Sequence, residues 1–192
     1  MQLNPPDHSN WLAAPSPSFS HQQKYWLFRP GALTAGLRKL GKVQLRVIRE
    51  HADGLHPAEA WMLQRPPRQA IWVREIIMSI DGVNSVFARS FTPLQASHGL
   101  WQGMRRLRTR PLADMLYHNP QITRSGFAAC RLNAQQPLYR SAQHILAEAC
   151  PTPQALLARC SVFQRAGEPL LVAECFLPAF WSLAAVQSGS MP

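Results

Sequence analysis

The sequence predicts a single α+β domain: a mostly antiparallel β-sheet with helices covering one face. Two hairpin patterns and the helical stretch between them carry that reading. Ala70 to Ile80 and Val83 to Thr92 are strand-like runs joined by Asp81-Gly82, a two-residue turn signal. Leu157 to Gln164 and Leu170 to Leu177 flank Arg165-Ala166-Gly167-Glu168, a second hairpin. Between these pairs, Pro93 to His118 is helical in character. A length of 192 residues suits one domain with its own core. A hydrophobic content of 46% against 16% charged residues excludes a disordered chain.

The elements follow in order. Residues 1–21, with Pro5, Pro6, Pro15 and Pro17, read as a flexible leader, and the domain is expected over 22–192. Gln22 to Phe28 forms a short helix that must end before Pro30. Ala32 to Leu40 is a second helix with Leu33, Leu37 and Leu40 on one side, stopped by Gly41. Lys42 to Glu50 alternates, with Val43, Leu45 and Val47 on one face, as in a half-buried strand. Ala52 to Pro67 holds three prolines and few periodic positions and reads as a connection. The helical stretch Pro93 to His118 breaks near Thr109-Arg110-Pro111, and Pro111 suits the first turn of a second piece, Leu112 to Tyr117. Ile122 to Leu132 reads as a strand, and Ser141 to Cys150 as a short helix closed by Pro151 and Pro153.

Charge narrows the function. Twenty Lys and Arg against ten Asp and Glu favour an anionic partner: nucleic acid, an anionic membrane surface or a small acidic substrate. The N-terminus lacks the basic start and apolar core of a signal peptide. The most apolar stretch, Leu170 to Val186, is broken by Glu174 and Pro178, so no membrane span is expected. Cys130, Cys150, Cys160 and Cys175 show no CxxC spacing and read as free thiols of a cytoplasmic protein.

Three charges fall on strand faces that are otherwise mostly apolar. Arg74 shares parity with Trp72, Ile76 and Met78; Arg89 with Phe87 and Phe91; Glu174 with Leu170, Val172 and Phe176. An unpaired buried charge costs several kcal/mol, so each needs a partner or a ligand. Either Glu174 pairs with an arginine inside the fold, or the arginines clamp the carboxylates of a small dianion beside one acid–base group.

Other patterns are weaker. His51 and His56 lie five apart with Asp53 between them, but no further ligand is apparent and no metal site is expected. There is no GxGxxG or P-loop lysine pattern, so no nucleotide cofactor is implied. The run Arg105 to Arg110 reads as a solvated helix end; no helix-turn-helix or zinc-finger pattern accompanies it, and nucleic acid is not the expected partner.

Six segments appear in order: Leu27 to Leu37 with its Ala32-Leu33-Thr34, Lys42 to Glu50, Trp72-Val73-Arg74-Glu75-Ile76, Ala88 to Pro93, Pro111-Leu112 with Leu116-Tyr117, and Pro169 to Pro178. Together they resemble the chorismate lyase family over roughly Gln22 to Leu183. Ala32 stands where serine is common in that family, and Asn133 to Pro153 is longer than usual. The resemblance implies elimination of pyruvate from chorismate to give 4-hydroxybenzoate for ubiquinone synthesis, without metal or cofactor. It implies that Arg74 grips the ring carboxylate and that Arg89 serves the enolpyruvyl carboxylate. Glu174 would face the ring hydroxyl and ether oxygen, and Leu33 and Leu112 would line the walls. It also implies helical flaps near Leu33 and Leu112 over a buried ligand, tight product retention and a monomer. The alternative is a non-catalytic effector-sensing domain of the same fold, as in some bacterial regulators. Such a regulator carries a winged-helix domain ahead of its sensor, and about 25 residues before the match are too few for one.

Overall fold

A computed structural model describes residues 10–147 and 155–188. The elements are α1 (His21–Phe28), α2 (Leu33–Leu37), β1 (Val43–Gly54), α3 (Pro57–Leu63), β2 (Ala70–Ile80), β3 (Val83–Pro93) and α4 (Leu94–His98), followed by a 3-10 turn, Gln102–Arg106. Then come α5 (Ala113–Leu116), β4 (Thr123–Arg124), β5 (Ala128–Arg131), α6 (Pro137–Ala147), β6 (Leu157–Arg165), β7 (Glu168–Phe176) and α7 (Pro178–Ser188). The strands form one seven-stranded sheet in the order β1-β2-β3-β7-β6-β4, with β5 also on β6. Every pairing is antiparallel. The α+β class is therefore as the hairpin patterns predict.

Both predicted hairpins form. Asp81 and Gly82 have φ of 48° and 85°, and Ala166 and Gly167 have 46° and 80°. Positive φ at both turn positions is the geometry whose twist matches the flanking strands. The expected connection at 52–67 is instead strand and helix: β1 runs on to Gly54, and α3 follows. His56 caps α3, its Nδ1 accepting from Ala58 N at 3.2 Å, and Pro57 occupies the first turn where its missing N–H costs nothing. The predicted strand 122–132 is split into β4 and β5 around Ser125–Phe127. The helix expected at 141–150 begins earlier, at Pro137; its predicted end at Cys150 lies outside the described residues.

Residues 10–20 are not a loose leader. Leu12 exchanges two backbone hydrogen bonds with Ala129, and Trp11 and Phe19 are buried. The prolines there hide two aromatic anchors whose burial is worth about 2 kcal/mol each. The rest of the leader, 1–9, lies outside the described residues.

The sheet has two covered faces. On one, α3 and α6 pack over Val73, Ile77, Phe87, Phe91, Leu171 and Ala173 in a single apolar cluster. On the other, two clusters meet. Leu27, Leu33, Leu37 and Phe180 pack over Ile76, Met78 and Phe176, while Trp101, Met104, Leu112 and Leu116 pack with Phe163 and Leu170. The seam between those two clusters is where a cavity opens.

A candidate active site at the seam of two clusters

Two β-bulges decide which charges reach the cavity face. Beside the Asp81-Gly82 turn, Ile80 pairs with Val83 and Ser79 with Asn84, but Met78 pairs with Val86. Ser85 is the extra residue. An unbroken ladder would set Arg89 opposite Arg74; with the bulge, Ser90 stands opposite Arg74 and Arg89 opposite Glu75. In β1 the ladder slips at Ile48, so Arg74 faces Glu50 rather than Arg49. One extra residue in each outer strand thus replaces arginine with serine and with glutamate beside Arg74.

The cavity is lined by Leu33 and Thr34 of α2, Leu112 and Leu116 at α5, and Ile76, Ala88, Ser90, Val172, Glu174, Ser161 and Arg159 of the sheet. Glu174 accepts a hydrogen bond from Arg159 Nε at 2.6 Å. Arg159 Nη1 also donates to the carbonyls of Trp26 and Arg29, each at 3.2 Å, where a cation complements the C-terminal end of α1. Its guanidinium lies 4.2 Å from the Phe127 ring centroid.

Arg74 is almost fully buried at the end of the same face, next to Ser90 and Ile76. Its Nη1 donates to Glu50 Oε1, and its Nη2 to the carbonyls of Arg108 at 2.6 Å and Arg110 at 3.4 Å. Its Nε is buried without a hydrogen-bond partner. Arg74 therefore ties the sheet to the segment just ahead of Pro111-Leu112. The expected solvated arginine run is partly structural: Arg105 lies 3.6 Å over the Trp72 ring and donates to Ser97 Oγ at 2.9 Å.

Of the residues singled out from sequence, the fold brings Leu33, Leu112 and Glu174 to the cavity, with Arg74 at its end. Arg89 is not among them. It sits on the opposite face, 3.3 Å from Glu59, 3.7 Å from Glu75 and 3.8 Å from Asp53. Glu75 in turn is held by Arg49 at 3.1 Å and by Ser141 Oγ at 2.9 Å. The cause is the Ser85 bulge, which no side-chain parity within one strand reveals. The residue that parity missed is Arg159. A signal for it existed: counting back from the two-residue turn Ala166-Gly167 sets Arg159 opposite Glu174, as observed. Among the described residues, no three His, Cys, Asp or Glu side chains are grouped as metal ligands would be. Cys130, Cys160 and Cys175 are buried free thiols whose burial pushes them up, away from the reactive thiolate.

Comparison with known proteins decides the family. The model of the chorismate lyase family matches residues 6–186. The chain belongs to the chorismate lyase family. Two relatives show the depth of that kinship. A probable chorismate pyruvate-lyase of Bordetella pertussis is 60% identical over 174 residues, 91% of each chain. A probable chorismate pyruvate-lyase 1 of Pseudomonas entomophila is 39% identical over 183 residues, 95% of each. Among solved structures, the effector domain of PhnF from Mycobacterium smegmatis aligns over 78% of this chain and 90% of its own, with a TM-score of 0.50 and 11% identity. That likeness shows a shared fold alone. Among the described residues of this chorismate lyase family member, no helix is long and apolar enough to cross a membrane.

Proposed function

We propose that this chain eliminates pyruvate from chorismate and releases 4-hydroxybenzoate, the aromatic acid that feeds ubiquinone synthesis, as a monomer in the cytoplasm. The observation that carries the reading is a single carboxylate, Glu174, set in a largely apolar cavity with an arginine beside it and another at its end. A planar ring with a carboxylate at one end and a hydroxyl at the other fits that polarity. Arg74 grips the ring carboxylate; its unpartnered Nε gives that carboxylate a donor. Glu174 meets the ring hydroxyl and the ether oxygen. Leu33 and Leu112 form the walls, and the α2 and α5 segments that carry them act as flaps.

The reaction is redox-neutral and asks for no cofactor. The ring C–O bond to the enolpyruvyl oxygen breaks, and the proton on the carbon bearing the hydroxyl is lost. The ring becomes aromatic, and the departing enolate takes up a proton to give enolpyruvate, which tautomerises to pyruvate. Aromatisation supplies the driving force, so the protein has to position the dianion, exclude water and stabilise charge on the departing oxygen. Product under closed flaps leaves slowly, and release limits turnover.

Purified protein freed of bound product tests this. Chorismate is expected to yield pyruvate and 4-hydroxybenzoate in equal amounts, and Glu174→Gln to slow turnover about 100-fold or more. Absence of pyruvate from the wild-type reaction defeats the reading. Tight binding of 4-hydroxybenzoate with no turnover would instead support a non-catalytic effector-sensing domain.

A further inference from the structure

Chorismate carries two carboxylates and 4-hydroxybenzoate only one. The second belongs to the enolpyruvyl group, and its carbon lies two bonds beyond the ether oxygen. With the ring carboxylate held by Arg74, the ether oxygen falls at Glu174, so this carboxylate must find its partner close to Glu174. Arg89 does not meet that need, because the sheet lies between it and the cavity. Arg159 does: it is the one cationic side chain among the described residues lining the cavity, and its Nε is 2.6 Å from Glu174 Oε2.

We propose that Arg159 receives the enolpyruvyl carboxylate and stabilises the charge that develops on the departing enolpyruvyl oxygen. This rests on the chorismate lyase reading above. The guanidinium is already oriented. Its Nη1 is committed to the Trp26 and Arg29 carbonyls, and its plane is supported by Phe127. An arginine held in place before the substrate arrives loses little freedom on binding a carboxylate, and its charge acts more strongly in a largely apolar cavity than in water. When the C–O bond breaks, the electron pair stays on the enolpyruvyl oxygen, within the field of Arg159, until that group is protonated. The product has neither the second carboxylate nor the departing oxygen. Arg159 therefore favours substrate over product, in a site whose other contacts suit both.

The test is the split between the two ligands. In Arg159→Gln and Arg159→Lys, kcat/KM for chorismate and Kd for 4-hydroxybenzoate are measured alongside the wild type, with thermal unfolding to check folding. The expected result is a fall in kcat/KM of about 100-fold in Arg159→Gln, partly restored in Arg159→Lys, with product affinity changed less than about fivefold in both. A purely structural role, acting through Glu174 or the end of α1, weakens both ligands alike; equal losses overturn the proposal, and so does unchanged kcat/KM. If Arg159→Gln does not fold, the same comparison in Arg159→Lys decides. A wild type that releases no pyruvate sinks the functional reading itself, whereas an active wild type with equal losses sinks only the role given to Arg159.

Discussion

Glu59 has the clearest pH signature in the molecule. It is buried beside Arg89, and its Oε2 has no hydrogen-bond partner. Burial outweighs the guanidinium, and Asp53 and Glu75 push the same way, raising the carboxyl to about 7 from 4.5. The folded chain therefore keeps a proton that the unfolded chain has released. Glu59's contribution to stability is full below the unfolded value and is lost as pH rises from 4.5 to about 7, on the order of 3 kcal/mol over that window. His51 and His56 are lowered, mainly by burial, so their contribution runs the other way and is lost as pH falls below 6.5. Comparing wild type with Glu59→Gln cancels the histidines. Urea unfolding at about pH 5 and about pH 7.5 is expected to show a larger loss in the wild type than in the variant. Equal losses would show that Glu59 does not titrate in this range. At this same scale, Ala32 was legible: it stands where the family commonly has serine, and the structure makes it the N-cap of α2, with no side-chain hydrogen bond to the first turn. Arg159 escaped because one strand's parity says nothing about the residue across the ladder; only the register counted back from the Ala166-Gly167 turn sets it opposite Glu174.

At the scale of elements, what was legible is what depends on local chemistry. Asp81-Gly82 and Ala166-Gly167 announced both hairpins with their flanking strands, and alternation announced β1. What was hidden depends on pairing. The bulges at Ile48 and Ser85 carry no sequence signature of their own, yet they divide the charges between the two faces. The helix α3 was masked by the prolines around it, although His56-Pro57 with Glu59 two residues on is a recognisable helix start. The consequence for Arg89 is testable. It is the shared cation of Glu59, Glu75 and Asp53 on the face away from the cavity. Arg89→Ala takes the cation away from buried Glu59 and leaves Glu75 to Arg49 alone, and is expected to cost about 3 kcal/mol of stability in urea unfolding. The protein that remains folded is expected to keep its KM for chorismate. A stable Arg89→Ala protein with a sharply raised KM would return Arg89 to the ligand site.

For the molecule as a whole, the excess of positive charge pointed to any anion. The fold narrows it. Several arginines serve structure: Arg105 braces Trp72, Arg74 also ties the sheet to the segment before α5, and Arg89 is shared by the carboxyl groups of Glu59, Glu75 and Asp53. The cavity at the seam of two clusters has one arginine in its lining and another at its end, with Glu174 as its carboxylate. The ordered motifs made the family legible, since each lies on an element that shapes this seam. They did not make the fold's two-sidedness legible, because α3 and α6 cover the second face with apolar residues far apart in sequence, beside the carboxyl groups that share Arg89. The ligand is expected at the seam, on the face away from Arg89. A crystal structure with 4-hydroxybenzoate bound tests it most directly. The expected pose has the carboxylate against Arg74, the hydroxyl on Glu174 and the ring between Leu33 and Leu112. Product ordered instead against Arg89 and Glu59, with the seam empty, would contradict it.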